Sequence, residues 1–174
     1  MPSSVDYDAL AATTRVEDIT EDVVNQETLR LLRAYDAGLS YLCLWGPEAR
    51  AEDSEDVVEP GDYFPGSSEE LGWLGHFVKN STSLKRIDMC EGDVFKKCSQ
   101  QSVERFFEDL GRCSHIERME FYYADLTKII HKLGPAMKNS NITRWLIADC
   151  YLGPGTNHLQ CVSWYEESGG IIHR

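Results

Sequence analysis

Four segments of this chain repeat one spacing of large apolar residues, L-x-x-L-x-L, with other large apolar residues allowed at the L positions. They cover residues 39–44, 84–89, 116–121 and 142–147. A segment with apolar residues at helical spacing precedes each copy. These helical positions are Leu29/Leu32, Leu71/Leu74, Val103/Phe106/Phe107/Leu110 and Ile129/Ile130/Leu133/Met137. The recurrence restricts the fold to a stack of similar helix-turn-strand units, because one such unit cannot bury its apolar stripe alone.

Stacking these units makes neighbouring strands parallel and buries the fourth and sixth motif positions. In the last copy we expect Trp145 and Ile147 at these positions, and Ile142 at the first position, to be buried. Gly134-Pro135 lies inside the preceding helical segment, where proline removes a backbone donor. That helix is predicted to end near Leu133 or to restart after a kink.

On these motifs the chain resembles the leucine-rich-repeat family, and specifically its ribonuclease-inhibitor-like class. Cys150-x-Leu152 completes L-x-x-L-x-L-x-x-C-x-L in the last copy, and the long helical spacers are similar to those of that class. The resemblance covers roughly residues 25–155. It implies an α/β fold, a short right-handed leucine-rich-repeat solenoid with a parallel sheet on the concave face and helices on the convex face. Pro47, Gly92 and Ala124 replace the usual Asn or Cys in the first three copies.

Acidic residues are concentrated at the N-terminus and between the first two motif copies, in a chain of net charge −12. The second of these stretches is also rich in Pro, Gly and Ser, which predicts solvated irregular chain that is dispensable for folding. The expected organisation is an acidic N-terminal tail (1–24), a domain of about four repeats (25–155) with an acidic inserted loop (46–70), and a C-terminal cap or truncated repeat (156–174).

Composition argues against several classes of protein. The acidic balance disfavours binding to nucleic acid or to an anionic membrane. The longest apolar run is far shorter than the ~20 residues of a membrane-spanning helix, and the first residues, MPSSVDYDAL, lack the features of a signal peptide. The six cysteines form no C-x-x-C pair, so we expect free thiols, no metal and no cofactor. These features together favour a cytoplasmic or nuclear protein.

Catalytic signatures are missing from the sequence. It contains no phosphate-binding glycine loop, no G-x-S-x-G and no H-E-x-x-H. The five histidines, at positions 76, 115, 131, 158 and 173, fall mostly on helical spacers, turns or the C-terminal tail. We therefore expect that the protein is not an enzyme.

The odd motif positions predict a surface for recognition. In a strand, residues beside the inward fourth and sixth positions face the other side of the sheet, here the concave side. The third position is occupied by Tyr41, Arg86, Arg118 and Arg144, the fifth by Cys43, Asp88, Glu120 and Leu146, and the seventh by Trp45, Cys90, Tyr122 and Ala148. Because Arg, Tyr and Trp are enriched in binding hot spots, we predict that a partner protein contacts Arg86, Arg118, Arg144, Tyr41, Trp45, Asp88, Glu120 and Tyr122.

Several alternatives remain open at this point. The charged columns could form a solvated surface whose charges pair across strands. The acidic insertion could contact a basic partner, or fold over the arginines and shield them. The family resemblance also admits a GTPase-activating factor of the Ran type, although the sequence nominates no catalytic arginine for it. Finally, the chain could be a non-autonomous fragment of a longer repeat protein.

Overall fold

The computed structural model describes residues 5–34, 38–49, 59–139, 141–154, 162–165 and 170–173. The helices among them are α1 (Tyr7–Leu10), α2 (Val16–Ile19), α3 (Val23–Arg33), α4 (Ser68–Asn80), α5 (Gln100–Leu110) and α6 (Ile130–Asn139). The strands are β1 (Tyr41–Trp45), β2 (Asp62–Tyr63), β3 (Arg86–Gly92), β4 (Arg118–Ala124), β5 (Arg144–Ala148), β6 (Val162–Tyr165) and β7 (Gly170–His173). The fold class is α/β, as the sequence predicts.

One seven-stranded sheet contains all of these strands, in the order β2-β1-β3-β4-β5-β6-β7. The five strands from β2 to β5 run parallel. The last two, β6 and β7, pair antiparallel, so the sheet is not parallel throughout. Helix α5 connects the neighbours β3 and β4, α6 connects β4 and β5, and α4 leads from β2 past β1 to β3. The right-handed rule for such parallel crossovers places these helices on one face.

The predicted helices form where the apolar spacing puts them. Val103, Phe106, Phe107 and Leu110 make the buried side of α5. Ser67 caps α4 and Ser99 caps α5, each accepting a hydrogen bond from a backbone N–H three residues later. Of the two predicted outcomes for the last helix, an end near Leu133 is wrong, because α6 continues through Pro135 to Asn139, and a kink at the proline stays a prediction. A proline there removes one backbone hydrogen bond of the helix.

The core lies between the parallel sheet and the helices. Strand alternation directs the fourth and sixth motif positions into this core, where they meet the apolar sides of α3, α4 and α5. Ile142 and Trp145 are buried as predicted, and Trp145 stacks on Phe121 with ring centroids 6.2 Å apart. Ile147 is only partly buried. The described chain has no helix after β5, so this end of the sheet receives less cover than its centre.

Both acidic segments contain residues that pack on the body. In the N-terminal segment, Val16 and Ile19 of α2 are buried. In the acidic insertion, β2 pairs with β1 and Tyr63 is fully buried. The Thr28 hydroxyl donates to the carbonyl oxygen of Asp62 at 2.6 Å. The structure therefore differs from the expected solvated chain over residues 59–67, while residues 50–58 lie outside the described chain.

A backbone feature recurs at the end of three parallel strands. Glu91, Tyr123 and Asp149 occupy the same motif position and have positive φ angles of 58°, 53° and 53°. Residues other than glycine rarely adopt this left-handed conformation. The same left-handed residue therefore recurs at the ends of β3, β4 and β5, which makes the repetition visible in the backbone as well as in the sequence. No helix among the described residues combines the length and apolar character needed to cross a membrane.

Candidate functional site on the polar face of the sheet

The sheet face that points away from the helices carries the three predicted columns. Tyr41 pairs with Arg86, Arg86 with Arg118, and Arg118 with Arg144, so the third motif positions stand side by side across four strands. The fifth and seventh positions are in register in the same way. We call this surface the polar face and define it by its central residues: Tyr41, Cys43, Arg86, Asp88, Cys90, Arg118, Glu120, Tyr122 and Arg144.

Arg86 is the centre of a hydrogen-bonded ion-pair network. Its guanidinium donates two hydrogen bonds to Asp88, from Nε to Oδ1 at 2.8 Å and from Nη2 to Oδ2 at 2.6 Å. The same Nη2 reaches Glu120 Oε2 at 2.8 Å. The guanidinium also lies over the ring of Tyr41, 5.0 Å from its centroid, at a distance suited to a cation–π contact. This geometry holds the Arg86 head group in one position.

The two carboxylates of the network are buried. Asp88 is 2% exposed and Glu120 is 6% exposed, whereas the sequence predicts them beside the arginines on an accessible surface. The hydroxyl of Tyr41 donates to Asp88 at 3.2 Å, and that of Tyr122 donates to Glu120 at 2.5 Å. Burial raises the pKa of the Asp88 carboxyl, and the neighbouring Arg86 opposes that rise. Three side chains, those of Tyr41, Arg86 and Tyr122, therefore satisfy the buried acids, which a freely solvated surface would not require.

The arginines of the column are therefore held to different degrees. Asp88 raises the pKa of Arg86, so its charge is permanent and is already paired. Arg118 contacts Glu120 only at 3.6 Å through Nε, and about a third of its side chain is exposed. Arg144, on β5, is exposed. Arg86 and Arg118 are about equally exposed, at 33% and 34% of the side chain, so they differ in pairing: Arg86 binds both carboxylates, whereas Arg118 makes one long contact.

The remaining predicted site residues occupy different places. Trp45 donates from Nε1 to Asp62 Oδ1 at 2.7 Å, so its indole is tied to the β2 edge of the sheet. Tyr122 lies within the network through Glu120. The structure brings together Tyr41, Arg86, Asp88, Arg118, Glu120 and Tyr122, with Arg144 beside them on the next strand and Trp45 apart from them.

Sequence reasoning missed two features next to this cluster. The sulfur atoms of Cys43 and Cys90 lie 3.5 Å apart and are buried. Tyr123, which follows the network residue Tyr122, is 64% exposed and has the positive φ noted above. The fifth and seventh columns contain both cysteines, so the register could have revealed that pair. The exposed tyrosine has no comparable signal, since only the backbone turn directs its side chain outward.

Several of the described thiols are weakly acidic. A hydrogen bond with Cys90, together with burial, raises the pKa of the Cys43 thiol, and burial raises the pKa of Cys98 and Cys113 to about 11. These thiols are therefore poor nucleophiles at neutral pH. His76, His115 and His131 contact groups on the helix side of the molecule. The described residues contain no group of three His, Cys, Asp or Glu side chains that could hold a metal ion.

The acidic insertion contacts the sheet at its described end. Its described end is fixed to the β1 edge through Asp62, which accepts from Trp45 and from the backbone N–H of Glu59. Whether this loop shields the arginines is a question that falls on residues 50–58, outside the described chain.

Comparisons with protein-family models, with curated proteins and with solved structures find no match to this chain.

Proposed function

We propose that this chain is a short leucine-rich-repeat solenoid of the ribonuclease-inhibitor-like class that binds another protein through its polar face. The observation that carries the proposal is the difference in pairing along the arginine column. Arg86 is held by hydrogen bonds to two buried carboxylates, whereas the equally exposed Arg118 makes one contact of 3.6 Å and Arg144 is exposed on the next strand. The four motif copies in register and the left-handed residue repeated at the ends of β3, β4 and β5 support the repeat assignment.

The partner's contact surface is expected to carry carboxylates. A guanidinium group presents a planar fork of donors that matches a carboxylate, and two neighbouring forks favour two acids at similar spacing. Neighbouring strands are about 4.8 Å apart, so Arg118 and Arg144 can engage adjacent acidic side chains. The exposed Tyr123 at the end of β4 offers aromatic area at the margin of the same surface. A role in binding would explain why like charges are placed on adjacent strands.

We propose no catalytic activity. The weakly acidic thiols and the histidines on the helix side support this, because a nucleophile needs an activating base within hydrogen-bond reach. A cytoplasmic or nuclear location is proposed with it. Five described cysteines are free thiols, which agrees with a reducing compartment.

Photo-crosslinking from the margin of the polar face tests the proposal. We expect a photoreactive phenylalanine analogue at Tyr123 to crosslink one partner in a cell extract, while the same analogue at the exposed Val23 of α3 does not. Adding Arg118→Ser and Arg144→Ser to the Tyr123 probe should abolish that crosslink, because the partner's acids lose both guanidinium groups.

The matched control removes two cations from the helix side. Arg15→Ser with Lys132→Ser changes the net charge equally, and the crosslink should survive it. A crosslink that persists after loss of Arg118 and Arg144, or that disappears equally in the control, contradicts the proposed use of the polar face. Circular dichroism of each variant checks that its fold is intact.

A further inference from the structure

A second site lies on the helix side, where the N-terminal segment crosses α4 and α5. The ring of Tyr7 meets the indole of Trp73 edge-to-face, with centroids 4.8 Å apart and planes at 72°. The guanidinium carbon of Arg105 lies 5.3 Å from the centre of the same ring. The tyrosine is therefore held between an aromatic side chain of α4 and a cation of α5.

Glycine residues in α4 leave the space that this ring occupies, which we call the seat of Tyr7. A Cβ atom at Gly72 would lie 2.0 Å from the Tyr7 hydroxyl oxygen, so every other residue at this position would collide with the tyrosine. One turn further, a Cβ at Gly75 would come within 3.3 Å of the Phe106 ring. Glycine destabilises a helix interior relative to alanine. This seat therefore weakens α4 locally while it admits an aromatic ring.

Contacts on both sides of the tyrosine recognise the segment that carries it. Arg105 Nη2 donates to the carbonyl oxygen of Val5 at 3.4 Å. The Asp8 carboxylate lies 3.3 Å from His76 Nδ1 and 3.9 Å from Lys79 Nζ. The groove thus has a place for a backbone carbonyl, one for an aromatic ring and one for the carboxylate that follows the ring.

The segment that fills the groove is weakly attached. Helix α1 is four residues long and contains no buried residue, and Val5 and Leu10 are exposed. The anchored chain begins just after it, where Arg33 donates to the carbonyl oxygens of Ala11 and Thr14 at 2.8 and 2.9 Å. Residues 5–10 can therefore leave while the rest of the fold stays in place, as expected for a segment with few buried contacts.

We propose that the groove between α4 and α5 is a binding site for a segment of another protein that carries a tyrosine followed by an acidic residue. Val5–Leu10 occupies this site in cis and competes with that partner. The seat of Tyr7 shows which chemistry the groove accepts, and the loose attachment of α1 makes exchange feasible. This site is separate from the polar face, and its test does not depend on the proposed function.

Peptide binding to the full chain tests the exchange. The probe is a fluorescent peptide with the sequence of residues 3–12, SSVDYDALAA, measured by anisotropy. A tethered segment competes at an effective concentration of about 1 mM. We expect Tyr7→Ala in the full chain to bind the probe at least about tenfold more tightly than the wild-type chain, since the cis segment then loses its ring.

Two helical glycines provide a matched pair of controls. In the Tyr7→Ala chain, Gly72→Leu fills the seat and should abolish binding. Gly134→Leu on α6 should not change it, since an added Cβ there meets no atom within 4 Å. A probe whose tyrosine is replaced by alanine should fail to bind the same Tyr7→Ala chain that binds the unchanged probe, and this comparison does not depend on how the Gly72→Leu chain folds.

Three outcomes would overturn the proposal. The first is that the Tyr7→Ala chain shows no saturable binding up to about 1 mM probe, which would make the N-terminal segment a fixed part of the fold. The second is equal binding by the Gly72→Leu and Gly134→Leu chains, which would place the probe elsewhere. The third is equal binding by the probe without its tyrosine.

Discussion

Replacing Arg86 with methionine is expected to lower the free energy of unfolding by about 3–5 kcal/mol at pH 7. Methionine keeps much of the apolar stem and removes the cation. Asp88 and Glu120, 2% and 6% exposed, then lose the charge that neutralises them in a region with little access to water. Urea denaturation followed by far-UV circular dichroism measures the change.

Controls for this prediction come from the same column and from the acids themselves. Arg118→Met, with a single contact of 3.6 Å to Glu120, should change the free energy of unfolding by no more than about 1 kcal/mol. Adding Asp88→Asn and Glu120→Gln to Arg86→Met should restore most of the lost stability, because no buried charge then remains. If Arg86→Met stays within about 1 kcal/mol of the wild type, the network is not the internal support that we describe.

The loss of unfolding free energy caused by Arg86→Met should become smaller as the pH falls. Burial raises the pKa of Asp88 in the folded chain, so ionisation of this carboxyl disfavours the folded state at high pH. That penalty is absent below the unfolded pKa of about 3.9 and grows as the pH rises through the higher folded pKa. Removal of Arg86 takes away the cation that opposes the rise. The difference in unfolding free energy between Arg86→Met and the wild type is therefore expected to decrease when the pH is lowered from 7.

Replacing Trp145 with alanine is expected to cost about 3–5 kcal/mol of unfolding free energy. The indole is buried and stacks on Phe121 with an interplanar angle of 10°, so its removal leaves a cavity beside β4. Thermal denaturation and hydrogen exchange together measure the loss and where it falls. In a stack of repeats, the C-terminal unit around β5 should lose protection first.

A conservative variant at the same position gives the control. The indole Nε1 of Trp145 is buried and has no hydrogen-bond partner within the described chain. Trp145→Phe keeps an aromatic ring and removes that unpaired donor, so its cost should be about 1 kcal/mol. Equal losses for the alanine and phenylalanine variants would show that the stack on Phe121 does not stabilise this end of the sheet.

Repetition of the motif explains why so much of the fold follows from the sequence. Each L-x-x-L-x-L copy fixes which side of its strand is buried, and four copies in one phase fix the register of neighbouring strands. The alignment of Arg86, Arg118 and Arg144 is therefore a direct consequence of motif position. The helices follow for the same reason, since their apolar stripes must cover these strands.

The burial of a given side chain and the contacts between residues distant in sequence are harder to predict from the motif. An acid two places after an arginine fits both a solvated strand and a buried ion pair, so the burial of Asp88 depends on how Tyr41 and Arg86 lie over it. Strand β2 has two residues, too few for an alternating pattern. Tyr7 contacts Gly72, a residue far from it in sequence. The acidic composition around Tyr7 predicts a solvated tail and gives no sign of this contact.

The affinity of the crosslinked partner, once purified, tests the central claim that Arg118 and Arg144 form a recognition surface supported by the Arg86 network. Surface plasmon resonance at several salt concentrations should give a dissociation constant at least about tenfold higher for Arg118→Ser/Arg144→Ser than for the wild type. The association rate should be lower and less sensitive to salt, and Arg15→Ser/Lys132→Ser should behave as the wild type. Unchanged affinity and salt dependence in the Arg118→Ser/Arg144→Ser variant would contradict the claim.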